Sequence, residues 1–568
     1  MRISFISLRE AVLLHIATKS GADLMAEVLH KEGVQYVFGN PGTTEMPLIH
    51  ALRHHPDIQY ILGLQEASVV AMADGYAQAS GKPGFVNLHT AGGLGHAMGA
   101  LLHSRIARTP MVVTAGQQDT RHSFADPLLY ADSVRIAEPA VKWAREVLHP
   151  DHVPALVRRA LQDAMAPTRG PVFLSLPIDV LNATATVGTG SGSVINRQAV
   201  AGGLDALAAA LAAAKPGRLV IMAGEEVGSS EASAEVVQLA EVLGAKVHGP
   251  SWPGSMPFPA THPLWCGNLP SSAAAMRSQL VEVDAVFVVG ENPFISYPYS
   301  EGGALPEGCR LFQLTQDAIE AGRTYAAEIA CIGHLKASLG QLLKALCHRI
   351  AESQRAAAAV QDIAATARGF RLSNLEARFQ NERWQTPITP FVAAGEALRA
   401  LGDHVAVVDE APATMHHVRA FLERASVRRY FFMRSAILGW GLPAAVGVSL
   451  GLDRAPVVAL LGDGSALFSP QGLWTAAKLK LPVTFVIMNN AEYNIVKRYA
   501  VAQGYEKDGN SILPGMEITD PPVDFQALAT GFGLQARRAT SVDQIEPMIR
   551  HAVASGEPSL VEIVIGTD

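Results

Sequence analysis

The sequence predicts an α/β protein built from three doubly wound domains, each with a parallel sheet. Helical patterns alternate with short apolar strand patterns in the first third, as in YILGLQEASVVAMADGYAQ (60–78) and PGFVNLHTAGG (83–93). The same alternation returns in the last two thirds, where HVAVVDE (404–410) and LPVTFVIMNN (481–490) are short, apolar and bounded by turn residues. Such alternation is typical of parallel sheets covered by helices on both faces.

The domain boundaries follow from length and composition. A chain of 568 residues accommodates roughly three to four domains of about 150 residues each. The small, polar stretch NATATVGTGSGSV (182–194) is typical of a flexible linker, and the alanine-rich AESQRAAAAVQDIAATARG (351–369) of a connecting helix or linker. We therefore expect an N-terminal extension at 1–20, domains at 21–183, 195–348 and 375–568, and a linker at 349–374.

Composition argues against several classes of function. Charged residues make up 17% of the chain and the net charge is −7, without a long run of one sign. We therefore expect neither a nucleic acid nor a membrane surface as a partner. No apolar run approaches the roughly 20 residues of a membrane span. The first 20 residues carry Arg9, Glu10 and His15 and make a poor signal-peptide core. The four cysteines form no CxxC pair, which indicates reduced thiols of a cytoplasmic protein.

The stretch GDGSALFSPQGLWTAAKLKLPVTFVIMNN (462–490) carries more polar residues at its strand ends than a strand–helix–strand unit needs. Asp463 follows one predicted strand, and Asn490 ends the next one 27 residues later. Neighbouring parallel strands end at one edge of the sheet, where a carboxylate and an amide oxygen can hold a hard cation such as Mg²⁺. Gly464 and Ser465 offer N–H groups and a hydroxyl at a helix start, which suits a phosphate. Either dipeptide alone would be ordinary turn chemistry.

With these motifs the chain resembles the thiamine diphosphate-dependent enzyme superfamily, and within it the benzoylformate decarboxylases. The resemblance runs from about Gly21 to the C-terminus and is strongest in the first and last thirds. It rests on VFGNPGTTEMPL, LQEASVVAMADGYAQASGKPGFVNLHTAGGLGHAMGAL, VTAGQQ, GSALFSPQGLWTAA and FVIMNN. It implies a pyrimidine-binding first domain, a middle domain and a diphosphate-binding last domain. It also implies thiamine diphosphate as the cofactor, held with Mg²⁺ or Ca²⁺.

The resemblance assigns the cofactor-binding residues. Glu66 matches the glutamate that hydrogen-bonds N1′ of the pyrimidine ring, and Leu438 matches the apolar residue beneath the cofactor that enforces its V shape. The alternative is a purely structural role, with Glu66 as an ordinary helix glutamate and Leu438 as an ordinary core leucine. The metal ligands match Asp463, Asn490 and the backbone carbonyl of Glu492. The remaining cofactor-binding residues are Gly464, Ser465 and Tyr493.

The residues on the substrate side are assigned in the same way. His89, in VNLHTAGG, matches an active-site histidine, and an imidazole can exchange protons near neutral pH. A lone histidine is otherwise more often structural. Thr43 stands where the family has a serine that meets the substrate carboxylate. Tyr297 stands where benzoylformate decarboxylases have a second histidine, and a phenol is a weaker proton relay than an imidazole.

Two further departures concern the diphosphate and the substrate pocket. Pro412 and Ala413 replace a Thr-Ser pair that helps to hold the diphosphate in the family. Ile495 replaces a small alanine of the pocket wall, with Tyr499 and Met516 expected nearby. A larger wall leaves less room for an aryl ring, so an aliphatic 2-keto acid is a plausible substrate beside phenylglyoxylate.

The resemblance implies a non-oxidative decarboxylase that converts a 2-keto acid into an aldehyde and CO₂, with some carboligase activity. It also implies a homotetramer, a dimer of dimers, because the glutamate and the diphosphate site of one active site come from different subunits. Two alternatives stay open within the superfamily, an acetolactate synthase-like carboligase and a 2-hydroxyacyl-CoA lyase. A non-catalytic paralogue is a third, against which the intact Glu66, Asp463 and Asn490 argue.

Overall fold

The computed structural model describes residues 17–291, 293–349, 354–425, 427–507 and 513–567. The chain divides into two compact units. The first unit comprises Met1–Ile195, Ser435–Asp453 and Ser469–Leu479. The second unit comprises Asn196–Arg434, Arg454–Phe468 and Lys480–Asp568.

Strands form where the sequence has short apolar runs. In chain order they are β1 (Lys19–Ser20), β2 (Tyr36–Gly39), β3 (Gln59–Leu62), β4 (Gly84–Leu88), β5 (Met111–Gln117), β6 (Ala144–Glu146), β7 (Pro171–Pro177), β8 (Thr184–Ala185), β9 (Leu219–Ala223), β10 (Lys246–Gly249), β11 (Trp265–Asn268), β12 (Ala285–Val289), β13 (Arg310–Thr315), β14 (Ile329–Ile332), β15 (Ala406–Glu410), β16 (Arg429–Phe432), β17 (Val457–Gly462), β18 (Val483–Asn489), β19 (Gln535–Ala539) and β20 (Ser559–Val564). The runs at 404–410 and 481–490 contain β15 and β18, as the sequence predicts.

Helices fill most intervals between the strands. In chain order they are α1 (Gly21–Lys31), α2 (Met46–Leu52), α3 (Glu66–Ser80), α4 (Thr90–Ala107), α5 (Ser133–Ala137), α6 (Val153–Met165), α7 (Ile178–Asn182), α8 (Leu204–Ala212), α9 (Glu225–Ser229), α10 (Ser233–Leu243), α11 (Ala273–Gln279), α12 (Leu335–Cys347), α13 (Gln354–Glu382), α14 (Pro390–Arg399), α15 (Met415–Leu422), α16 (Gly441–Gly451), α17 (Asp463–Ala466), α18 (Gly472–Leu479), α19 (Asn494–Ala502), α20 (Phe525–Gly531) and α21 (Val542–Ser555). None of the helices in the described ranges is both long and apolar enough to cross a bilayer.

Two segments that the sequence sets outside the domains contain regular structure. Of the extension predicted at 1–20, residues 1–16 lie outside the described part of the chain, and β1 pairs antiparallel with β8. Within the linker predicted at 349–374, residues 350–353 are outside the described part, and the residues from 354 onward belong to α13.

The main sheet of the first unit has six parallel strands in the order β3-β2-β4-β5-β7-β6. The chain leaves β2 toward β3 on one side and then returns to β4 on the other. The place between β2 and β4 is therefore the topological switch point, where open α/β sheets bind ligands. Strands β4, β5 and β7 are buried along their whole length. This explains why their sequences are mostly apolar and do not alternate between apolar and polar residues.

The second unit contains two further parallel sheets of six strands. The last sheet, β16-β15-β17-β18-β20-β19, repeats the order of the first sheet and has its switch point between β15 and β17. The middle sheet runs β11-β10-β9-β12-β13-β14, the order common in dinucleotide-binding folds, with its switch point between β9 and β12. The three sheets confirm the predicted fold class of three doubly wound α/β domains.

A close helix crossing holds α3 in the first unit. A Cβ atom on Gly447 would lie 1.8 Å from the carbonyl oxygen of Met72, and one on Gly75 would lie 2.3 Å from that of Ala444. Only glycine lets the backbones of α3 and α16 approach so closely. Because α3 begins at Glu66, this contact fixes the end of the helix that enters the candidate site.

Candidate active site

The residues predicted for the first unit lie at the carboxyl edge of its main sheet. Thr43 follows β2, Glu66 follows β3 and His89 follows β4. Because β2 and β4 flank the switch point, the side chains that follow them border the expected ligand crevice. The structure thus brings three residues, widely spaced in sequence, to one edge of the sheet.

Glu66 is buried at the first position of α3 and is surrounded by polar groups. Its Oε1 accepts a hydrogen bond from Nδ2 of Asn40 at 3.1 Å, and its Oε2 lies 3.2 Å from Nδ1 of His96. The side chain of Gln65 caps the helix by accepting a hydrogen bond from the N–H of Ser68. A carboxylate fixed in this way is suited to holding a proton on a ring nitrogen.

His89 is held by the buried carboxylate of Glu45. Its Nδ1 lies 2.8 Å from Oε2 of Glu45 and 3.2 Å from Oγ1 of Thr44. Glu45 is 1% exposed, whereas the His89 side chain is 26% exposed. A carboxylate can only accept, so this contact places an N–H at Nδ1 and leaves Nε2 of the neutral ring for proton exchange.

Glu45 is itself anchored on both carboxylate oxygens. Its Oε1 accepts hydrogen bonds from the N–H of Gly116 at 3.0 Å and from the hydroxyl of Thr44 at 2.7 Å. Its Oε2 also accepts from the N–H of Gly42 at 2.8 Å. Both glycines are required by space, because a Cβ on Gly116 would lie 2.0 Å from Oε1 of Glu45 and one on Gly42 would lie 2.2 Å from Nδ1 of His89.

Thr43 and Leu438 complete the residues predicted for the first unit. Thr43 opens a 3₁₀ turn, Thr43–Glu45, and its side chain is exposed. Leu438 is half-buried on the bend before α16. The hydroxyl of Ser469 donates to the carbonyl of Gly439 at 2.6 Å and so holds this bend.

Asp463 and Asn490 lie at the ends of neighbouring strands of the second unit, as their spacing predicts. Strand β17 ends at Gly462, β18 ends at Asn489, and the two strands are paired. The N–H of Ala491 donates to Oδ2 of Asp463 at 2.7 Å. The carboxylate therefore joins the two strand ends directly.

The oxygen atoms at these strand ends fit a divalent cation. Burial raises the pKa of Asp463 to about 6, while backbone N–H groups, including those of Gly464 and Ala491, oppose the shift. The carboxylate oxygens thus face a cluster of backbone N–H groups at the two strand ends. Asn490 adds an amide oxygen and Glu492 a backbone carbonyl, so the available donors are the hard oxygens that Mg²⁺ prefers.

Gly464 and Ser465 follow directly in the short helix α17. A Cβ on Gly464 would lie 2.6 Å from Cε1 of Tyr493, so a glycine lets the tyrosine ring cover this turn. Ser465 is buried. Pro412 and Ala413 follow β15 on the other side of the switch point and supply no polar side chain.

A buried lysine ties the turn at 490–493 to a later segment. Nζ of Lys497 lies 2.5 Å from Oε2 of Glu492 and 2.8 Å from Oε1 of Glu517, and Lys497 is 5% exposed. The N–H of Tyr493 also donates to the carbonyl of Met516 at 2.8 Å. The turn with the candidate metal ligands and the segment with Met516 are therefore braced together.

One predicted pocket residue of the second unit, Tyr499, contacts Tyr297. The rings of Tyr297 and Tyr499 stack with centroids 6.0 Å apart and an interplanar angle of 16°. Ile495 is one turn before Tyr499 on α19, and the two are 40% and 38% exposed. Residues four apart share a helix face. The structure thus pairs Tyr297 with Tyr499 and places Ile495 on the same helix face as Tyr499, whereas Thr43 and His89 belong to the first unit.

Several polar residues that contact the candidate site were not predicted from the sequence. Glu45, Asn40 and His96 contact predicted residues of the first unit, and Lys497 does so in the second. The stretch NPGTTE holds the one signal that was available, an acidic residue among small residues just after a predicted strand. The sequence gives no signal for Lys497 or His96, because only the fold shows which residues they contact.

Three family models match the chain in the order of its three sheets. The N-terminal thiamine pyrophosphate-binding domain matches residues 19–129, the central domain 204–342 and the C-terminal thiamine pyrophosphate-binding domain 413–563. Each model describes a thiamine pyrophosphate enzyme.

Relatives that match nearly the whole chain support the same family. The chain is 34% identical over 553 residues to the benzoylformate decarboxylase of Pseudomonas aeruginosa, which covers 94% of this chain and 97% of that protein. It is 27% identical to a putative acetolactate synthase large subunit of Mycobacterium tuberculosis, over 96% and 99% of the two chains. A 4-hydroxybenzoylformate decarboxylase of Rhodococcus jostii RHA1, thiamine diphosphate-dependent, matches in structure with a TM-score of 0.83 at 29% identity, over 97% and 100% of the chains.

Proposed function

The chain belongs to the thiamine pyrophosphate enzyme family, and we propose that it decarboxylates a 2-keto acid to an aldehyde and CO₂ without oxidation. Within the family it is similar over nearly its whole length to benzoylformate decarboxylases, and it is a carbon–carbon lyase with thiamine diphosphate and a divalent metal as cofactors. The observation that carries the detailed proposal is the His89–Glu45 pair at the switch point of the first sheet.

Residues of the second unit would hold the cofactor by its charged end. Thiamine diphosphate supplies an electron sink for the carbon from which CO₂ leaves. Asp463, Asn490 and the carbonyl of Glu492 would bind Mg²⁺, because they offer only hard oxygen donors. Ser465 would bind a phosphate oxygen through its N–H group and hydroxyl, and Gly464, whose N–H donates to Asp463, would leave room for the phosphate to approach the backbone.

Residues of the first unit would activate the cofactor and orient the substrate. Glu66 would hold a proton at N1′ of the pyrimidine ring, which its fixed and buried carboxylate favours. The exposed hydroxyl of Thr43 would donate to the substrate carboxylate and orient it for loss of CO₂. Leu438 would support the cofactor ring from below.

His89 would deliver the proton that completes the reaction. Its Nδ1 is committed to Glu45, so Nε2 is the atom that can carry a proton to the carbon that has lost CO₂. The negative charge of Glu45 stabilises the imidazolium that precedes this transfer. Tyr297, stacked on Tyr499, would line the substrate side as a hydrogen-bond donor rather than as a second base.

An acetolactate synthase-like carboligase is the second candidate, because a putative synthase is a whole-length relative. Synthases of the superfamily commonly carry FAD. At the switch point of the middle sheet, however, Oε2 of Glu291 accepts a hydrogen bond from the N–H of Glu226, and Glu291 pairs with buried Arg434 at 2.9 Å. Arg434 is thus committed to a carboxylate rather than available for the phosphates of a dinucleotide, which favours the decarboxylase. A purified protein with flavin absorbance would favour the synthase.

We also propose a cytoplasmic homotetramer with each active site shared between two subunits. The free state of its four cysteines agrees with a reducing compartment. Mixing two inactive variants, Glu66→Gln and Asp463→Asn, tests the sharing of sites. Activity should return on subunit exchange, because hybrid dimers then contain one intact site. Recovery that fails after exchange is verified by mass spectrometry would contradict the shared site.

The decisive assay measures CO₂ and aldehyde from a series of aryl and aliphatic 2-keto acids, with thiamine diphosphate and Mg²⁺ present. We expect equal amounts of both products from at least one acid, and a loss of roughly 10²-fold or more in kcat for Glu66→Gln. Turnover of none of the acids by a protein that binds the cofactor would reject the proposal. Formation of acetolactate from pyruvate without free aldehyde would favour the synthase.

A further inference from the structure

Two histidines and an aspartate lie together on the surface of the first unit. Nδ1 of His30 is 2.6 Å from Oδ2 of Asp57, and the ring of His55 lies 5.3 Å from that of His30, centroid to centroid. One potential ligand atom from each of the three residues lies within 4.8 Å of the other two. Among the described residues, these three are the histidine, cysteine or acidic side chains that lie close enough together to bind one ion.

The cluster lies at the end of the sheet opposite to the candidate active site. His30 is in the last turn of α1, before β2 begins, and Asp57 lies two residues before the start of β3. These positions are at the amino ends of β2 and β3, whereas Thr43 and Glu66 follow their carboxyl ends. A ligand on the cluster therefore occupies a site distinct from that of the cofactor.

The elements that carry the three side chains are fixed by the core. Leu29 beside His30, and Leu52 and Ile58 around the other two, belong to one buried cluster. The N–H of Ile58 donates to the carbonyl of His55 at 2.9 Å and closes the turn between them. The backbone is thus held, and only side-chain rotation is needed to bring the ligand atoms into register.

The distances suit a small tetrahedral ion. Bonds of about 2.0–2.1 Å at tetrahedral angles require ligand atoms roughly 3.3 Å apart. This value lies between the 2.6 Å of the His30–Asp57 contact and the 4.8 Å limit of the whole group. The side chains of His30 and Asp57 are 49% and 51% exposed, so an ion can enter from solvent.

The donor set selects the kind of metal. Imidazole nitrogens suit zinc, copper and nickel, whereas Mg²⁺ and Ca²⁺ take oxygen ligands. An imidazole coordinates through a nitrogen that carries no proton, so metal binding at this site should weaken as the pH falls. Asp57 adds the negative charge that offsets part of the charge of a divalent ion.

We propose that His30, His55 and Asp57 form a binding site for a divalent transition metal of the zinc class, with water in the remaining position. The site is independent of the proposed decarboxylation.

Zinc binding to the full chain tests the site. The enzyme is prepared without an affinity tag, loaded with thiamine diphosphate and excess Mg²⁺, and titrated with Zn²⁺ in equilibrium dialysis. We expect wild type to bind one Zn²⁺ per chain more than His30→Gln or His55→Gln, each of which weakens this binding at least about tenfold. His54→Gln is the matched control, because it removes the adjacent imidazole and leaves the three ligands in place.

Thermal unfolding separates loss of the site from loss of the fold. In EDTA all four proteins should unfold at similar temperatures, and Zn²⁺ should raise the midpoint for wild type and His54→Gln only. The proposal is overturned if His30→Gln and His55→Gln bind Zn²⁺ with the stoichiometry and affinity of wild type. It is equally overturned if wild type binds no Zn²⁺ beyond that displacing Mg²⁺. Neither result would affect decarboxylation, which is assayed separately.

Discussion

Nδ1 of His89 and Oε2 of Glu45 lie 2.8 Å apart, at the junction of two loops that are 44 residues apart in sequence. If His89 is the proton donor proposed above, Glu45 would act on the substrate only through it, because Glu45 is buried and His89 is not. Glu45 would then be a positioning residue, which fixes the tautomer of the imidazole.

Glu45→Gln should lower kcat by roughly 10²-fold, because general acid–base catalysis contributes about 10²–10⁴-fold and the amide removes the charge that supports it. The affinity for thiamine diphosphate should stay within a few-fold of wild type, since the hydrogen bonds described for Glu45 join it to residues of the first unit. Steady-state kinetics and calorimetry measure the two effects separately. Adding Glu45→Gln to His89→Gln should cause little further loss, and an additive loss would contradict action through the histidine.

Lys497→Met should weaken Mg²⁺-dependent cofactor binding at least about tenfold, as expected for a residue that orients metal ligands. The lysine neutralises Glu492 and Glu517, and without it the two carboxylates repel each other beside the turn that carries the ligands. Titration of the apoenzyme with Mg²⁺, followed by recovery of activity, gives the affinity. Lys497→Arg retains the charge and should therefore retain most of the wild-type affinity for Mg²⁺. Equal affinity in the Met and Arg variants would show that the charge is not required.

Asp409 should make the protein less stable as the pH rises from about 4 to about 6. Burial raises its pKa to about 6, although the Tyr430 hydroxyl donates to it at 2.7 Å and the N–H of Ala411 at 3.0 Å. The folded state then binds the proton more tightly than the unfolded state, so this stabilising contribution is complete below the unfolded pKa and is lost as the pH passes the folded one. About 2 pKa units correspond to on the order of 3 kcal/mol.

Urea unfolding of Asp409→Asn at several pH values checks this expectation. The difference in unfolding free energy, variant minus wild type, should become more positive between pH 4 and pH 7, whatever its value at the starting pH. A difference that is constant over this range would show that Asp409 has an ordinary pKa.

Ile495→Ala should shift the preference from aliphatic toward aryl 2-keto acids. The substitution removes three carbon atoms from a half-exposed position one turn from Tyr499. Because a single methylene in a pocket changes specificity by about 10–200-fold, the aryl-to-aliphatic ratio of kcat/KM should rise at least about tenfold. Val496→Ala is the matched control on the neighbouring face of α19. Equal aryl-to-aliphatic ratios of kcat/KM in Ile495→Ala and Val496→Ala would show that Ile495 is not part of the pocket wall.

The fold was largely predictable because each buried parallel strand leaves a local signal. Runs such as those of β15 and β18 are mostly apolar and end in polar residues, so their type can be predicted without the rest of the chain. Strand order leaves no such signal. The middle sheet has a different order from the other two, although its strands look alike in sequence.

The candidate site was predictable where it depends on one strand–turn–helix unit and unpredictable where it depends on strand order. Asp463 and Asn490 flank a single such unit, and their approach follows from their spacing alone. Glu45 follows β2 and His89 follows β4. The two side chains meet only because β2 pairs with β4 as well as with β3. The stacking of Tyr297 on Tyr499 joins two domains of the second unit and has no counterpart in any local pattern.

Uptake of thiamine diphosphate by the intact protein tests the central claim most directly. Titration calorimetry should detect one molecule of the coenzyme per chain when Mg²⁺ is present and little uptake when EDTA removes it. Asp463→Asn should weaken this uptake at least about tenfold, because it removes the charged ligand. If wild type takes up no coenzyme with Mg²⁺ present, or if Asp463→Asn binds it as well as wild type, the metal-bridged site described above is contradicted.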